Sequence, residues 1–475
     1  MESKKLGARF WFSLLLVGLV GQLAWAIENN YINLWVYSQT GNTDAITWMT
    51  VTSALAATLT TFFVGLWSDR VGKRKLFINI GYIVWGVSVF TFGLCSYHNL
   101  FSLTKEQASA ILWVGITMTL LDNIMTFFGS TSNDACFNAW VTEHTDESNR
   151  GKVESILSVL PLAANVFMIG IGIPLHIGAV PDDFLKGQIN DGVYPDSAAA
   201  LAHGWFYYFL ICGILVTVIG VISIFLLPKD EIQPNREESY GKKLFYGFRP
   251  SVIKQNSELY LLLLTFFGFN SAINAFMPYY LVYFQNDASV FGAGFGSSMD
   301  FYIAFGIILI TASLITILIG AFLMNKANRY LLFYVSIGVA MLGAIGLFFA
   351  GTIHWLDIVC GIFLITGYLL CTAILGAAIR DKTPVKDVGL FQGVRMIFAV
   401  LLPMVTGPLI SQAFFPTSSY QDPTNPALGG KTPSRVMFLV ALAFFFVALA
   451  PMIVLHVKTR HKEKPQHEDV THRDA

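Results

Sequence analysis

Gly65-Leu-Trp-Ser-Asp-Arg-Val-Gly-Lys-Arg-Lys75 is a short, strongly basic stretch set between two long apolar runs. Asp69 falls at the end of the first run, and Gly72 permits a sharp backbone turn. Arg70, Lys73, Arg74 and Lys75 place four cations where anionic lipid headgroups would lie. On charge alone this is an ordinary loop that sets topology. Flanked by its apolar runs, it reads as a hinge joining two membrane-spanning helices, and the rest of the chain is read outward from it.

The composition points the same way. Of 475 residues, 55% are hydrophobic, 14% aromatic and only 13% charged, with a mean hydropathy of +0.60. That leaves too little polar surface to cover a soluble globule, so the chain is read as an integral membrane protein. A net charge of +0 gives no bulk attraction to nucleic acid. Cys95, Cys136, Cys212, Cys360 and Cys371 show no zinc or haem spacing, so no metal and no other cofactor is expected. Lys4, Lys5 and Arg9 precede an apolar run that lacks a small-residue cleavage site, which makes that run a first spanning helix and not a removable leader.

A spanning helix needs about 20 mostly apolar residues. Such runs lie near 10–36, 45–67, 76–97, 108–141, 153–177 and 204–227, and again near 258–285, 299–323, 331–350, 356–379, 390–415 and 434–457. The expected organisation is all-α, with a six-helix half over 1–227, a cytoplasmic linker over 228–257, a second six-helix half over 258–457 and a tail over 458–475. The tails and the loops after even-numbered spans carry 25 Lys and Arg, while the opposite side has only Lys105, Lys186, Lys431 and Arg435. Both termini are therefore expected on the cytoplasmic side of the cell membrane.

The halves carry matching pieces. Asn29-Asn-Tyr-Ile-Asn33 parallels Asn270-Ser-Ala-Ile-Asn274 at an offset of 241 residues, and Thr145-Asp-Glu-Ser-Asn-Arg-Gly151 parallels Thr383-Pro-Val-Lys-Asp-Val-Gly389 at an offset of 238. Similar offsets argue for duplication.

Gly65, Asp69, Arg70, Gly72, Lys73 and Arg74 together give Gly-x-x-x-Asp-Arg-x-Gly-Lys-Arg. This resembles the loop between the second and third helices of the major facilitator superfamily. The resemblance implies twelve helices in two pseudo-symmetric halves, a substrate site near the midplane and alternating access. Within that superfamily, Gly21 to Glu28 with Tyr31, Ser68 to Ile78, and Asn138 to Glu143 resemble the glycoside–pentoside–hexuronide:cation symporters and the sucrose–proton symporters. There are departures. The second span has no acid after Asp44, which counts against a sodium site of the melibiose kind, and the sucrose symporters' acidic position in the fourth span falls on Phe127.

Ionisable groups inside a bilayer are functional candidates by default. Glu28, Asp122 and Asp134 are candidate proton-coupling acids, and Glu28 lies about 27 Å into the first span. Asp122 and Asp134 are about 18 Å apart along one helix and are not expected to act as a pair. Arg395 lies inside the eleventh span, where an ion pair with Asp134 would serve bracing as readily as coupling. Gln22, Trp25, Asn29 and Asn33 follow helical spacing and form a polar stripe. Hydrogen bonding between packed spans would explain such a stripe. Its recurrence at Asn270 and Asn274, with Tyr279 close by, instead favours a substrate site, since amides and aromatic faces suit a neutral polyol.

Gly65, Asp69, Arg70, Gly72 and Arg74, with Asp146, Arg150 and Gly151 of the second loop, are read as a cytoplasmic gate; a plain surface turn is the bland alternative for the second loop. Arg70 or Arg74 would bridge to groups across that gate. Asp300 and Asp357, near span ends, are expected to be solvated.

The sequence is thus read as a secondary transporter, not an enzyme, in which proton-linked uptake of a sugar or glycoside is the leading function. The expected partners are a small-molecule substrate, a coupling proton and the lipid bilayer, with no nucleic acid. Export of amphipathic compounds or lipids is the alternative within transport, and a non-transporting membrane sensor the alternative outside it. No P-loop supports ATP drive. No convergent metal or acid–base cluster supports a membrane enzyme.

Overall fold

The computed structural model describes residues 6–145, 150–175, 177, 197–228, 230, 247–286, 299–323, 328–351, 353–384, 391, 394–418 and 430–471. In hydrocarbon each unpaired backbone group costs several kcal/mol, so apolar runs of spanning length become helices. Among the described residues ten helices are long and apolar enough to cross a membrane, and the shorter apolar stretches Ala163–Gly172 and Ala304–Ile319 stand at the places of the fifth and eighth spans. With them the chain is an all-α membrane protein of twelve transmembrane helices. The first span covers Ala8–Thr40, the second Thr43–Gly65, the third Arg74–Phe92, the fourth Ser109–His144 and the seventh Ser257–Phe284. The fifth belongs to helix Arg150–Gly172 and the sixth to helix Ser197–Leu226. Extended pairing among the described residues is limited to a two-residue antiparallel ladder, Thr417–Ser418 with Gly430–Lys431.

Helix ends follow local chemistry. Asn42 caps the second span by accepting from the Asp44 N–H at 3.0 Å. That helix ends at Gly72 (φ 65°), whose N–H reaches the Ser68 carbonyl at 2.9 Å. The sharp turn expected at this glycine is therefore present.

The chain divides into two compact units. The first holds Met1–Glu238, Met277–Ile303 and Phe415–Ser434, and the second Ser239–Phe276, Ala304–Phe414 and Arg435–Ala475. Each packs in the same pattern. The first span meets the fifth and sixth as the seventh meets the eleventh and twelfth, and the third meets the fourth and sixth as the ninth meets the tenth and twelfth. Lipid tails provide no hydrophobic drive between helices, so these contacts depend on close approach at small residues. At Gly86 an added Cβ would come within 2.5 Å of the Thr217 backbone nitrogen, and at Gly407 within 2.8 Å of that of Ala275.

One expectation is corrected. Asp357 is not solvated: it is buried and pairs with Arg435 at 2.9 Å. The Arg435 guanidinium also reaches the carbonyls of Leu347 and Gly351, so it gathers the loop between the ninth and tenth spans at the start of the twelfth. For Asp300 only the helical backbone is described.

Candidate functional site

Three spans are locally unwound into π-helix: Ile27–Ile32 in the first, Ser130–Phe137 in the fourth and Ile397–Leu401 in the eleventh. Glu28 and Asp134 lie on the first two, and Arg395 stands two residues ahead of the third. In the first two, short polar side chains compete with the backbone ladder where it loosens. Asn29 Nδ2 donates to the Trp25 carbonyl at 2.9 Å, and Ser132 Oγ to that of Phe128 at 2.7 Å.

The Glu28 carboxyl is buried at a junction of three spans. Its Oε1 accepts from Thr126 Oγ1 at 2.8 Å and from Ser53 Oγ at 3.1 Å, and those hydroxyls lie 2.7 Å apart. Asp122 is close enough for its negative charge to act on Glu28, and Ser53 also interacts with it. Glu28 is 7% exposed and Asp122 only 1%. Glu28 Oε2 and Asp122 Oδ1 are both enclosed without a hydrogen-bond partner. Among the described residues no cationic side chain pairs with either acid.

Asp134 has a separate setting. Its two oxygens accept from Ser130 Oγ at 3.1 Å and Asn133 Nδ2 at 3.0 Å. Asn133 Oδ1 in turn accepts from the Tyr82 hydroxyl at 3.2 Å. Gly21 makes room for this crossing, since a Cβ there would lie 2.6 Å from both Asn133 Oδ1 and the Tyr82 oxygen.

The amide residues occupy less uniform positions than helical spacing predicts. Residues 27–32 do not keep the α period, so the stripe does not hold one face: Gln22 and Trp25 are half-buried, Asn29 is exposed and Asn33 is buried. Trp25 stands edge-on to Trp85, with centroids 5.0 Å apart. Asn33 Nδ2 donates to the Asn29 carbonyl at 3.0 Å, and Asn274 Nδ2 to the Asn270 carbonyl at 2.9 Å. The duplicated sequence element therefore repeats the same bond. Asn270 Nδ2 also reaches the Ala399 carbonyl in the π segment of the eleventh span, at 2.8 Å.

The seventh span breaks at Met277–Tyr279, beside Pro278. Beyond the break Tyr279 shares a 2.7 Å hydrogen bond with Thr47, while the Tyr280 hydroxyl donates to Asn30 Oδ1 at 3.0 Å. Asn30 Nδ2 continues to Asn165 at 3.0 Å. The Tyr279 hydroxyl is thus engaged with the second span. Sequence reasoning singled out neither Ser53, Thr126, Thr47 nor Asn165; a hydroxyl or amide within an apolar run was their only signal.

In the basic loop, Arg74 is buried and pairs with Glu143 at the end of the fourth span at 2.7 Å, so this bridge lies inside the first unit. The Lys75 N–H donates to the Asp230 carboxylate at 3.2 Å, and Lys75 Nζ to the Leu227 carbonyl at 2.8 Å. Arg70 is exposed. Of Asp69, Arg150 and Gly151 only the helical backbone is described, and Asp146 lies outside the described residues. Arg395 has its guanidinium 6.0 Å from the centroid of the Phe266 ring.

The model of the Major Facilitator Superfamily matches residues 11–408. The chain belongs to the Major Facilitator Superfamily. As a superfamily member it shares its fold with a point mutant of the nucleoside transporter NupG at TM-score 0.64 and 11% identity, covering 94% of this chain and 99% of that one. It is also similar to a bacterial homologue of the human lysosomal transporter Spinster, inward-facing and occupied, at TM-score 0.60 and 15% identity over 96% and 98% of the two chains. Both likenesses concern the fold alone. No curated protein sequence matches the chain. Superfamily membership makes it a multi-pass membrane protein with a transporter fold, and points to transport and not catalysis.

Proposed function

We propose that the chain is a secondary active transporter of the plasma membrane, with both termini cytoplasmic, that couples inward proton movement to uptake of a sugar or glycoside by alternating access. The supporting observation is the Glu28 carboxyl, seated on an unwound turn, bonded to two other spans and adjacent to Asp122 without a cation against it among the described residues. A bare charge at such a place costs several kcal/mol, and two neighbouring carboxylates cost more. One proton held by the pair is the inexpensive state. Water entering from one side delivers that proton to a carboxylate, and water entering from the other carries it away. Asp134 is the second candidate acid.

Gln22, Trp25, Asn29 and Asn33 on the first span, and Asn270 and Asn274 on the seventh, offer amide donors, amide acceptors and an indole face, the chemistry a neutral polyol needs. A nucleoside is itself an N-glycoside, so compounds of the kind NupG is named for fall within the proposed class. Tyr279 acts at the rim, where its hydroxyl meets Thr47. Gly65, Asp69, Arg70, Gly72 and Arg74, with Asp146, Arg150 and Gly151, form the cytoplasmic gate.

A thermal-shift screen of purified protein against sugars, nucleosides, amino acids and lysolipids identifies the ligand, because a molecule that binds only the folded state raises its stability. Uptake into proteoliposomes is then compared with counterflow. Glu28→Gln is expected to retain counterflow and lose accumulation driven by an inward proton gradient. Full accumulation by both Glu28→Gln and Asp122→Asn would remove this pair from the coupling role.

A further inference from the structure

The Tyr82 hydroxyl of the third span has one proton and two acceptors. It stands 3.2 Å from the Val17 carbonyl of the first span and 3.2 Å from Asn133 Oδ1 of the fourth. A hydroxyl has a single hydrogen, so a full bond to one acceptor is given up by the other. Tyr82 and Asn133 are both buried, where a polar group without a partner is costly. The other end of the Asn133 amide donates from Nδ2 to Asp134 Oδ1 at 3.0 Å, while Asp134 Oδ2 takes the Ser130 hydroxyl at 3.1 Å.

This bonding suits one protonation state of Asp134. An ionised carboxylate only accepts, so it holds the amide with the N–H end towards Asp134 and the oxygen towards Tyr82. A proton on Oδ1 would set hydrogen against hydrogen. The two ends of an amide have nearly the same shape, and their partners decide which way it faces. Gly21 leaves room for it to turn over, since a Cβ there would stand 2.6 Å from Asn133 Oδ1. In the turned state the Asp134 O–H donates to Asn133 Oδ1, Nδ2 donates to the Tyr82 oxygen, and the Tyr82 proton goes wholly to the Val17 carbonyl. Each donor in the chain keeps an acceptor in both states, and the one added proton stays on Asp134.

We propose that Asn133 and Tyr82 are positioning residues that carry the protonation state of Asp134 to the first span, by moving the Tyr82 hydrogen bond from Asn133 to the Val17 carbonyl when Asp134 takes up a proton. The proposal rests on the reading of Asp134 as an acid that gains and loses a proton. Val17 lies in the helix that leads into the unwound turn of Glu28, so the relay ties Asp134 to the span that bears the other acid. The charge of Asp134 also acts directly on Glu28 and on Tyr82. The second span, packed on the same segment, has no ionisable residue between Asp44 and Asp69. On the fourth span itself Cys136 is two residues on, and the next carboxylates, Asp122 and Glu143, are twelve and nine residues away.

The test is infrared difference spectroscopy of the full chain in lipid membranes, acidic minus neutral, with isotope-labelled tyrosine. Asp134 is identified by the carboxylic-acid band that Asp134→Asn removes, and Tyr82 by the tyrosine band that Tyr82→Phe removes. Wild type is expected to show both bands, rising with one shared midpoint. Asn133→Leu, or the smaller Asn133→Ala should the first not fold, is expected to lose the tyrosine band and keep the carboxylic-acid band. A wild type in which Asp134 titrates while Tyr82 stays silent would overturn the relay and leave Asp134 as an acid. A tyrosine band that persists without Asn133 would also overturn it, since charge would then act on Tyr82 without the amide. Absence of the Asp134 band at every pH at which the protein stays folded would remove Asp134 from the coupling role, and the relay with it.

Discussion

Thr126 donates its hydroxyl to the Glu28 carboxyl at 2.8 Å, which ties an unwound turn of the first span to the middle of the fourth. A hydrogen bond to a charged group is worth about 1.5–3 kcal/mol. Thr126→Val is therefore expected to lower gradient-driven uptake by about tenfold or more. Thr126→Ser, which keeps the hydroxyl, should restore most of it. Equal uptake by the Val and Ser variants would show that the bond has no part in coupling.

At Gly21 the first, third and fourth spans cross closely. A methyl at this position would stand 2.6 Å from Asn133 Oδ1 and the Tyr82 oxygen. Gly21→Ala is expected to cost about 1–3 kcal/mol through overpacking and to loosen the support of Asp134. Gly170→Ala is the control, because nothing lies within 4 Å of its added Cβ. The readout is the unfolding midpoint of each in detergent.

Tyr280 and Tyr279 tether the segment beyond the break of the seventh span to Asn30 and Thr47. Tyr280→Phe removes one neutral hydrogen bond, worth about 0.5–1.5 kcal/mol. On that account a cysteine placed at Asn33 should react with a membrane-impermeant thiol reagent several-fold faster when Tyr280 is Phe. An unchanged labelling rate would show that the bond does not limit access to position 33.

Arg74 and Glu143 form a bridge at 2.7 Å whose side chains are 10% and 29% exposed, whereas the Arg329–Asp381 pair is exposed at 60% and 53%. A double-mutant cycle on unfolding midpoints should give a coupling near about 1 kcal/mol for the first pair. For the second it should approach zero, as exposed pairs usually do. Similar couplings would contradict the role assigned to burial.

Asp230 lies outside the spans, where burial pushes its carboxyl above the usual carboxylate range despite the Lys75 N–H and the charges of Lys75, Arg74 and His144. A folded-state value above the unfolded one means that the native state holds the proton more tightly. The stability this contributes is present below the unfolded value of about 3.9 and is lost as pH rises through the folded value. The midpoint of Asp230→Asn relative to wild type is expected to climb as pH rises from about 4 to 7. A flat difference over that range would refute the shift.

Much of the architecture was legible before any coordinates. The span positions, the turn at Gly72 and the matched halves follow from the length of apolar runs, from glycine and from two recurring elements. The repeated element even keeps its bond, from Asn33 to Asn29 and from Asn274 to Asn270. These features depend on neighbours in sequence or on the bilayer, so a linear reading captures them.

The site was legible only in part. Glu28 stood out because an acid in hydrocarbon is costly wherever it points, but the closeness of Asp122's charge did not, since the two are 94 residues apart in the chain. The helical stripe through Asn29 was disturbed by a π turn that spacing rules do not register. Asp357 reads as solvated from its place near a span end, and its counter-ion Arg435, 78 residues away, is invisible to a local pattern. Composition and local pattern determined the class, the spans and which groups are expensive to bury; tertiary structure alone decided which of those groups meet, because a hydrogen bond or ion pair is a matter of ångströms between helices that sequence order does not measure.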